Sequence, residues 1–421
     1  MSDIKVPKMM RALVFSGKGF GDVAVREIPV PEPGPGQALA RVDAAGVCTS
    51  LLKIIAQGSE HSYFNGWDPA KWPVTLGDEG SVTLVKVGAN LRGRWREGQR
   101  CVTQPAVDVG PINHRERYRN NAAGMEKTAM GYTLGGHLAQ YVLIPEEVFK
   151  GECLLPVPDE RLPYFACSMA EPISCVVCAQ DHHCHYVQES PASPRVGRLG
   201  LLKGGVAALV GAGAMGRIHV ELAIRARVKA LIVSDVVRER LDWVVANLGA
   251  KAEAAGVRLR AVGPDETEKA IREESGGRGA DDIIMAVGIR PVQQTALGWL
   301  ARGGVANLFG GLKRGEHHLD LDAIRVHYDG IKVVGSSGGT PYDAAQALEL
   351  IADGTVDPAL HVGMIGSLDQ AVEALHLIEQ GKSEGKTILY PHIPETPLIP
   401  SDGWSAAREK ELLRNYGLPT P

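Results

Sequence analysis

The sequence contains no apolar run as long as the roughly 18 residues that a membrane-spanning helix needs. Glycine or charged residues interrupt its longest apolar stretches at short intervals. The N-terminal segment MSDIKVPKMM has neither the apolar core nor the small-residue cleavage site of a secretion signal. These two absences argue against a membrane-anchored or secreted chain. We therefore expect a cytoplasmic protein that has no membrane partner.

An excess of positive charge is also missing. The formal net charge is −4, whereas a protein that binds nucleic acid non-specifically needs a basic face for the phosphates. We therefore expect no nucleic-acid partner. Cysteine is scarce as well, since there are 7 in a long chain. This odd number favours free thiols, including a possible metal ligand, over disulfides.

Aromatic residues make up only 5% of the chain, whereas glycine accounts for 50 of its 421 residues. This composition is typical of α/β proteins, which have many tight turns and close helix–sheet packing. The chain is too long for one ordinary hydrophobic core, so we expect two domains.

The sequence pattern changes after about residue 165. Before it, short segments with alternating β-branched residues, such as MRALVF and SVTLVKVG, predict β-strands with irregular loops. The polar stretch 107–135 predicts a long loop or lobe. From 204 onward, strand-like and helix-like segments alternate with short connections. That alternation predicts a parallel, doubly wound sheet.

Three glycines form the motif G-A-G-A-M-G between the apolar strand VAALV and an apolar-periodic helix. Gly211 permits the tight turn, Gly213 lets backbone N–H groups approach a pyrophosphate, and Gly216 allows close helix–strand packing. The helix N-terminus adds partial positive charge for the anion. We assign these glycines, with Met215, to a dinucleotide site. The alternative is a glycine turn in a domain that binds another ligand or none.

An acidic residue stands where the ribose of a dinucleotide would need an acceptor. Asp235 lies 19 residues after Gly216, at the end of the next strand, ALIVSD. A carboxylate there accepts hydrogen bonds from ribose hydroxyls and repels the 2′-phosphate of NADP. Because Val236 and Val237 follow it instead of basic residues, the sequence favours NAD. We add Arg240, which follows closely, to the cofactor-binding residues.

Residues that can ligate a metal recur where the β-rich part turns. Cys48 ends the segment ALARVDAAGVC, and Asp78 and Glu79 lie between two β segments. Glu171 begins the helix that leads into the second half. One thiolate and up to three carboxylates can hold Zn²⁺ with an open position, as a catalytic site requires. Spacing alone leaves an alternative, a core cysteine with surface or capping acids.

The chain resembles the zinc-dependent medium-chain dehydrogenase/reductase family, in its polyol or sorbitol dehydrogenase-like branch. The segments that carry the resemblance follow one another in family order over nearly the whole chain. They are GVCTS (46–50), GDEGSV (77–82), KVGANLRGRWREGQRC (86–101), GGHLAQYVLIP (135–145), AEP (170–172), VGAGAMG (210–216), IVSD (232–235) and KTILYP (386–391). Within the branch, CTSLLK, GSEH and GQRCVTQPA look most like L-sorbose-1-phosphate reductase-type proteins.

The resemblance implies an α/β fold made of two domains. A GroES-like, β-rich catalytic domain takes residues 1–175 and returns for residues 341–421. A Rossmann domain with a doubly wound parallel sheet takes residues 176–340. The family assembles as homodimers or homotetramers through this sheet, and VANLFGG followed by HHLDLDA is the candidate edge.

The resemblance also implies a ligand set for one catalytic zinc. Cys48 is its thiolate ligand, and Glu171 is the carboxylate ligand of the polyol branch. Asp78 stands where the family usually has histidine, and Glu79 is the neighbouring acid. Zinc would polarise the substrate oxygen, and hydride would pass to the nicotinamide.

Two further residues match positions of the family's proton relay. Ser50 matches the hydroxyl that relays the alcohol proton. Lys53 occupies a position where some relatives have the histidine that ends the relay. For Lys53 the alternatives are a proton shuttle, a contact with an anionic group of the substrate, and a side chain that faces solvent.

The sequence departs from the family pattern in three respects. Asp78 replaces the usual histidine, which makes the ligand set more anionic. Leu51 replaces an acid that in relatives is a partner of that histidine. Both partners change together, which indicates a remodelled site, since two carboxylates in contact would repel. The stretch 102–152 contains no cysteine, so we predict no structural zinc.

These features together predict an NAD-dependent oxidoreductase. It interconverts a secondary alcohol and a ketone on a polyol, sugar or sugar phosphate, with the assistance of zinc. Asp78 and Leu51 keep open a metal-free reductase or lyase of the same fold. A nucleotide-binding protein without turnover is the alternative outside enzymes. The histidine-rich stretch 181–185 is expected to be structural, because consecutive residues on a helix point in different directions.

Overall fold

The computed structural model describes residues 6–313, 315–401 and 403–421 and divides the chain into two compact units. Unit 1 comprises Met1–Pro172 and Thr340–Pro421, and unit 2 comprises Ile173–Gly339. The sequence-based boundaries, 175/176 and 340/341, lie within a few residues of these positions. Among the described residues, no helix combines the length and apolar character needed to cross a membrane.

The first part of unit 1 consists mainly of short strands. They are β1 (Met9–Phe15), β2 (Val23–Pro29), β3 (Ala38–Gly46), β4 (Val74–Thr75), β5 (Glu79–Val87), β6 (Arg100–Thr103), β7 (Ala106–Val107), β8 (Thr128–Ala129), β9 (Tyr141–Ile144) and β10 (Leu154–Pro156). The α-helices in this part are α1 (Ser50–Gln57), α2 (Glu146–Lys150) and α3 (Tyr164–Ser168).

Helix α4 (Ala170–Asp181) crosses the boundary between the units, and strands then alternate with helices in unit 2. The strands are β11 (Cys184–Val187), β12 (Val196–Leu199), β13 (Val206–Val210), β14 (Ala230–Ser234), β15 (Arg258–Val262), β16 (Ala280–Met285), β17 (Leu300–Asn307) and β18 (Lys332–Val334). The helices are α5 (Ala214–Arg225), α6 (Arg238–Ala254), α7 (Pro264–Ser275) and α8 (Arg290–Leu297).

The chain then returns to unit 1. The returning elements are α9 (Pro341–Ala352), β19 (Val362–Ser367), α10 (Ala371–Glu379), β20 (Lys386–Tyr390), β21 (Ile399–Pro400) and α11 (Ala406–Asn415). Single helical turns of other types lie at Phe20–Asp22, Gly58–Glu60, Ala89–Leu91, Arg115–Arg117, Arg119–Ala122, Arg325–Asp329, Pro358–His361 and Leu368–Gln370.

Strand β3 lies in the middle of the large sheet of unit 1. Among the described residues this sheet has the order β10-β6-β5-β3-β20-β19-β21, with β9 also paired to β3. The β-branched and small residues of β3 and β5 are nearly all buried. They join one core with residues of β1 and α1, including Leu13, Phe15, Leu51 and Ile54. Unit 1 therefore has the predicted GroES-like, β-rich architecture.

Unit 2 is built around a parallel sheet. Its described strands have the order β15-β14-β13-β16-β17-β18. From β13 the chain adds β14 and β15 on one side, and it then crosses back to add β16, β17 and β18 on the other. Every residue of β13 is buried, as expected for a strand that helices cover on both faces. This arrangement confirms the predicted Rossmann, doubly wound fold.

Two local predictions were wrong. VANLFGG does not form the sheet edge, because β17 lies between β16 and β18, and HHLDLDA contains no strand. The helix over the histidine-rich stretch ends at Asp181, and β11 begins at Cys184. In both cases tertiary pairing outweighed the local pattern.

A buried carboxylate helps to fasten the polar lobe 107–135. Oε1 of Glu147, on α2, accepts the backbone N–H groups of Ile112 at 2.7 Å and Asn113 at 3.2 Å. Farther along, the rings of Tyr118 and Trp67 pack with centroids 5.2 Å apart. The lobe is thus tied to the rest of unit 1 by hydrogen bonds and aromatic packing.

Candidate functional site

Three predicted metal ligands converge in unit 1 because of the pairing between β3 and β5. In this antiparallel pair Gly46 lies opposite Glu79, so Cys48 and Asp78, just outside the two strands, come together. One ligating atom each from Cys48, Asp78 and Glu79 lies within 4.8 Å of the others. Asp78 and Glu79 are buried, and Cys48 is partly buried. Residues 30 positions apart in sequence therefore share one site.

Two glycines make room for this convergence. A Cβ atom on Gly46 would collide with Oε2 of Glu79, so β3 can cross the site only with a glycine there. Gly77 has φ +109° and places its Cα against the backbone of Leu138. A positive φ of this size is costly for residues with a side chain. These glycines explain why GDEG and AAG, and not merely the acids, belong to the motif.

Ser50 lies at the start of α1 and links the site's cysteine to its aspartate. Its Oγ–H donates to Oδ2 of Asp78 at 2.6 Å, and its backbone N–H donates to Sγ of Cys48 at 3.4 Å. The other oxygen of Asp78, Oδ1, is buried and has no hydrogen-bond partner among the described residues. Asp78 therefore orients Ser50 through Oδ2, and its Oδ1 can accept a further ligand.

Glu79 forms a buried ion pair with Lys386, a residue that the sequence reasoning did not select. Lys386 begins β20, which pairs with β3 on the side opposite β5, so the pair spans β3 at Gly46. Burial alone would lower the pKa of Lys386, but Glu79, and after it Cys48, raise it above its usual value. The sequence feature that could have indicated it is a lysine at the first position of KTILYP, a segment that is otherwise buried.

Glu171 lies in the first turn of α4 and is 9% exposed. It is close enough to the site to raise the pKa values of Cys48 and Lys386, although it is outside the group within 4.8 Å. Lys53, by contrast, has an exposed side chain on α1. The structure therefore brings Glu171 toward the cluster and does not bring Lys53 into it.

A tyrosine from the lobe adds a second residue that sequence reasoning missed. Tyr132 is buried and hydrogen-bonds Ser50. Its ring lies 5.4 Å from that of His61 and 5.2 Å from that of Tyr63, measured between centroids. The three rings form an aromatic wall beside Ser50. Only the tertiary fold brings the lobe and the segment after α1 together.

The residues of this cluster fit a divalent metal ion. Oε2 of Glu79, like Oδ1 of Asp78, is buried without a hydrogen-bond partner among the described residues. Burial, followed by Asp78 and Glu79, raises the pKa of Cys48 well above its usual value. Burial, followed by Glu79, raises the pKa of Asp78 to about 6. A cation would relieve these costs, and thiolate and carboxylate are both zinc ligands.

The glycine turn in unit 2 has the geometry that its sequence predicts. Gly211 has φ +105°, Gly213 caps α5, and a Cβ on Gly216 would collide with the carbonyl oxygen of Gly211. Met215 is partly exposed in the first turn of α5. The N-terminus of α5 is thus open for an anion.

Asp235 is bound to the same turn. Its Oδ2 accepts the N–H of Ala212 at 2.7 Å, and its Oδ1 accepts the N–H of Val237 at 2.8 Å. Nη1 of Arg240 lies 3.9 Å from Oδ2. Each carboxylate oxygen retains further acceptor capacity, so Asp235 can hold the turn and still bind ribose hydroxyls.

Two family models match the chain. Residues 34–159 match the alcohol dehydrogenase GroES-like domain, and residues 214–353 match the zinc-binding dehydrogenase model. These matches cover the β-rich part of unit 1 and the nucleotide-binding half.

Curated relatives match over most of their length. The uncharacterized protein YggP of Escherichia coli (strain K12) is 32% identical over 87% of this chain and 83% of its own. Mannitol-1-phosphate 5-dehydrogenase of Aliivibrio fischeri is 28% identical over 93% and 89%. L-sorbose 1-phosphate reductase of Klebsiella pneumoniae is 27% identical over 90% and 88%. The solved 2R,3R-butanediol dehydrogenase of Bacillus subtilis superposes with a TM-score of 0.70, at 21% identity, over 91% and 100%.

Proposed function

Because the chain belongs to the zinc-type medium-chain dehydrogenase family, in its polyol dehydrogenase branch, we propose that it is an NAD-dependent oxidoreductase of polyols, sugars or sugar phosphates. It interconverts a secondary alcohol and a ketone. The observation that carries the proposal is the convergence of Cys48, Asp78 and Glu79 beside Ser50. Two relatives named for a phosphorylated polyol or sugar support the substrate class. The family predicted from the sequence is confirmed.

The proposed ligands of one catalytic zinc are Cys48, Asp78, Glu79 and Glu171. Glu79 would contribute Oε2, since its Oε1 is paired with Lys386. When bound, zinc supplies Lewis acidity toward the substrate oxygen. Lys386 limits the negative charge that the ligands place in a buried site. We propose no structural zinc in the lobe, because 102–152 contains no cysteine, and Glu147 and the packed rings help to fasten the lobe.

Oγ of Ser50 would accept the proton of the substrate hydroxyl while its own hydrogen passes to Oδ2 of Asp78. Asp78 orients the Ser50 hydroxyl by accepting its hydrogen at 2.6 Å, and Tyr132 approaches it from the lobe. Lys53 keeps its relay role only as a prediction, since its side chain is exposed. The aromatic wall of His61, Tyr63 and Tyr132 would exclude water from one side of the substrate.

NAD is the proposed hydride acceptor. Gly211, Gly213, Met215 and Gly216 would hold the pyrophosphate at the N-terminus of α5, where the backbone N–H groups are open. Asp235 would accept hydrogen bonds from the ribose hydroxyls and disfavour a 2′-phosphate. Arg240 lies beside Asp235 and would position its carboxylate.

A cytoplasmic homodimer or homotetramer completes the proposal. None of the seven cysteines, all within the described residues, forms a disulfide, as expected in a reducing compartment. Strand β18 is the last described strand on its side of the parallel sheet. Nearby in sequence, Ile324 and Tyr328 are each 69% exposed. An open strand edge with exposed apolar residues is suited to pairing with a second copy.

Reduction of NAD in the presence of polyols, sugars and sugar phosphates tests the proposal. We expect turnover with a secondary alcohol of this class and its loss, by more than about 100-fold, in the variant Cys48→Ala, since even partners of metal ligands cost up to that factor. The matched control is Cys153→Ala, which removes another thiol of unit 1 that is buried and outside the cluster.

Two outcomes would contradict the proposal. Full activity of Cys48→Ala would exclude the zinc-assisted route and favour a metal-free reaction on the same fold. NAD binding without turnover on any alcohol or ketone of the class, in protein that contains zinc, would leave a nucleotide-binding protein without catalysis.

A further inference from the structure

A second group of potential metal ligands lies in unit 2, apart from the cluster around Cys48. His183 and His185 stand at the start of the hairpin formed by β11 and β12, and Asp282 lies on β16. His183 and Asp282 are 0% exposed, and His185 is 7% exposed. One ligating atom from each lies within 4.8 Å of the other two.

Both imidazoles point at the same oxygen atom. Nδ1 of His183 lies 2.6 Å from Oδ1 of Asp282, and Nε2 of His185 lies 2.8 Å from it. The other oxygen, Oδ2, accepts the backbone N–H of Leu202 at 2.8 Å. The carboxylate is therefore held through Oδ2 by the backbone, while both ring nitrogens face its Oδ1.

The charge of this group is not balanced by a permanent cation. The ion pairs of Asp282 among the described residues are with His183 and His185 alone. A buried carboxylate needs a positive partner, and imidazole supplies one only when it is protonated. A divalent cation between the three groups would provide the missing charge without requiring a protonated ring.

We propose that His183, His185 and Asp282 form a second zinc site. Two imidazole nitrogens and a carboxylate oxygen are a common zinc donor set. The N–H of Leu202 hydrogen-bonds the carboxylate and fixes its orientation, as hydrogen-bond partners of metal ligands do. Tetrahedral zinc separates its ligand atoms by about 3.3 Å, so the rings must move back by about half an ångström. Each neutral ring would bind the metal through the nitrogen that now faces Oδ1 and would carry its proton on the other ring nitrogen.

The site would fasten the hairpin to the parallel sheet. A two-stranded hairpin is marginally stable by itself, and its large apolar side chains do not supply a core here. Tyr186, Val196 and Leu199 are 64%, 58% and 68% exposed. The buried contacts of His183 and His185 with Asp282 join the base of the hairpin to β16. This inference does not depend on the proposed function.

The number of zinc ions per chain tests the site. The Cys48→Ala protein is used, because it lacks the thiolate ligand of the other cluster. It is equilibrated with zinc and dialysed, and its zinc content is then measured by elemental mass spectrometry. We expect His185→Gln to lower the content by about one zinc per chain relative to the Cys48→Ala protein. The matched control is His182→Gln, at the adjacent histidine, whose ring contacts the carbonyl of Cys178; it should retain the metal.

In case His185→Gln misfolds, X-ray absorption at the zinc edge tests the site in a protein that keeps His183, His185 and Asp282. The Cys48→Ala protein should show a shell of nitrogen and oxygen with imidazole scattering. The inference is overturned if that protein holds no zinc, or if its zinc is unchanged by both His185→Gln and Asp282→Asn. The proposed function is tested by the activity lost in Cys48→Ala, whereas this site is tested by the zinc that Cys48→Ala still binds. Failure of one can therefore be distinguished from failure of the other.

Discussion

The ion pair between Glu79 and Lys386 is the residue-scale feature on which the candidate site depends. The two side chains come from β5 and β20, which flank β3, and meet over Gly46. Glu79 is 0% exposed and Lys386 is 6% exposed. Removing one partner of such a pair leaves a buried charge without compensation, which costs far more than the pair itself contributes.

Substitution Lys386→Met should therefore destabilise the metal-free protein by about 3–5 kcal/mol. Urea unfolding measures the change. The double variant Glu79→Gln/Lys386→Met should recover most of the loss, because it removes both charges. The control is Lys86→Met, which breaks an exposed pair with Glu32 and should cost less than about 1 kcal/mol. Equal losses in Lys386→Met and Lys86→Met would refute the argument.

The close approach of Glu79 to β3 makes a prediction for Gly46. An added methyl group in Gly46→Ala would collide with Oε2 of Glu79, so we expect a loss of about 1–3 kcal/mol from overpacking together with reduced metal binding. Thermal unfolding and metal titration measure both. Gly21→Ala, where a Cβ meets nothing within 4 Å, should change neither; a tolerated Gly46→Ala would show that Glu79 is free to move.

At the scale of elements, α11 docks on unit 1 through one buried carboxylate. Oε2 and Oε1 of Glu409 accept the N–H groups of Tyr164 and Phe165, each at 2.8 Å. The hydroxyl of Tyr390 donates to Oε1, also at 2.8 Å. Burial raises the pKa of Glu409 to about 7, because it outweighs these hydrogen bonds.

The raised pKa predicts the direction of a pH effect. Between about pH 4.5 and pH 7 the unfolded chain ionises Glu409 while the folded protein keeps its proton, so stability falls as pH rises through this window. Glu409→Gln should flatten that part of the stability curve. Urea midpoints at about pH 5 and about pH 8 measure the effect. Glu411→Gln, an exposed change on the same helix, should keep the wild-type slope; a wild-type slope in Glu409→Gln would contradict the prediction.

The lobe is a second element that a buried side chain helps to hold. Glu147→Ala removes the acceptor for the N–H groups of Ile112, which is half-buried, and Asn113, which is exposed. The loss of each hydrogen bond costs about 0.5–1.5 kcal/mol, so we expect faster proteolysis within 107–135 and little change elsewhere. Glu146→Ala, next to it but half-buried, is the control. Equal cleavage rates in the two variants would show that the other contacts of the lobe hold it without Glu147.

At the scale of the whole molecule, the metal cluster and the dinucleotide site of the proposed function lie in different compact units. The metal cluster lies in unit 1, and the glycine turn lies in unit 2. Gly216→Ala should weaken NAD binding at least tenfold, a loss of about 1.4 kcal/mol, because the Cβ collides with Gly211. Zinc content should stay unchanged. Titration calorimetry measures NAD binding. Gly249→Ala is the control, because a Cβ on Gly249 meets no atom within 4 Å. Loss of zinc in Gly216→Ala would show that the two sites are not independent.

Local sequence determined the elements whose signals are contiguous. The turn from β13 to α5 follows from Gly211, Gly213 and Gly216, since each glycine satisfies a steric need of its own short segment. Alternating β-branched residues predicted the β-rich part, and alternating strand-like and helix-like segments predicted the parallel sheet. The ligand types were also visible, because Cys48, Asp78 and Glu79 keep family positions on either side of two predicted strands.

Tertiary structure alone decided which side chains meet. Lys386 pairs with Glu79 across 307 positions of sequence, and Tyr132 reaches Ser50 from the lobe, because strand order and lobe placement bring these segments together. His183 and His185 converge on Asp282 only because β11 forms a strand where the sequence suggested a helix. Strand pairing and burial stabilise the folded sheet through contacts between residues that are far apart in sequence. A local sequence pattern therefore cannot predict them.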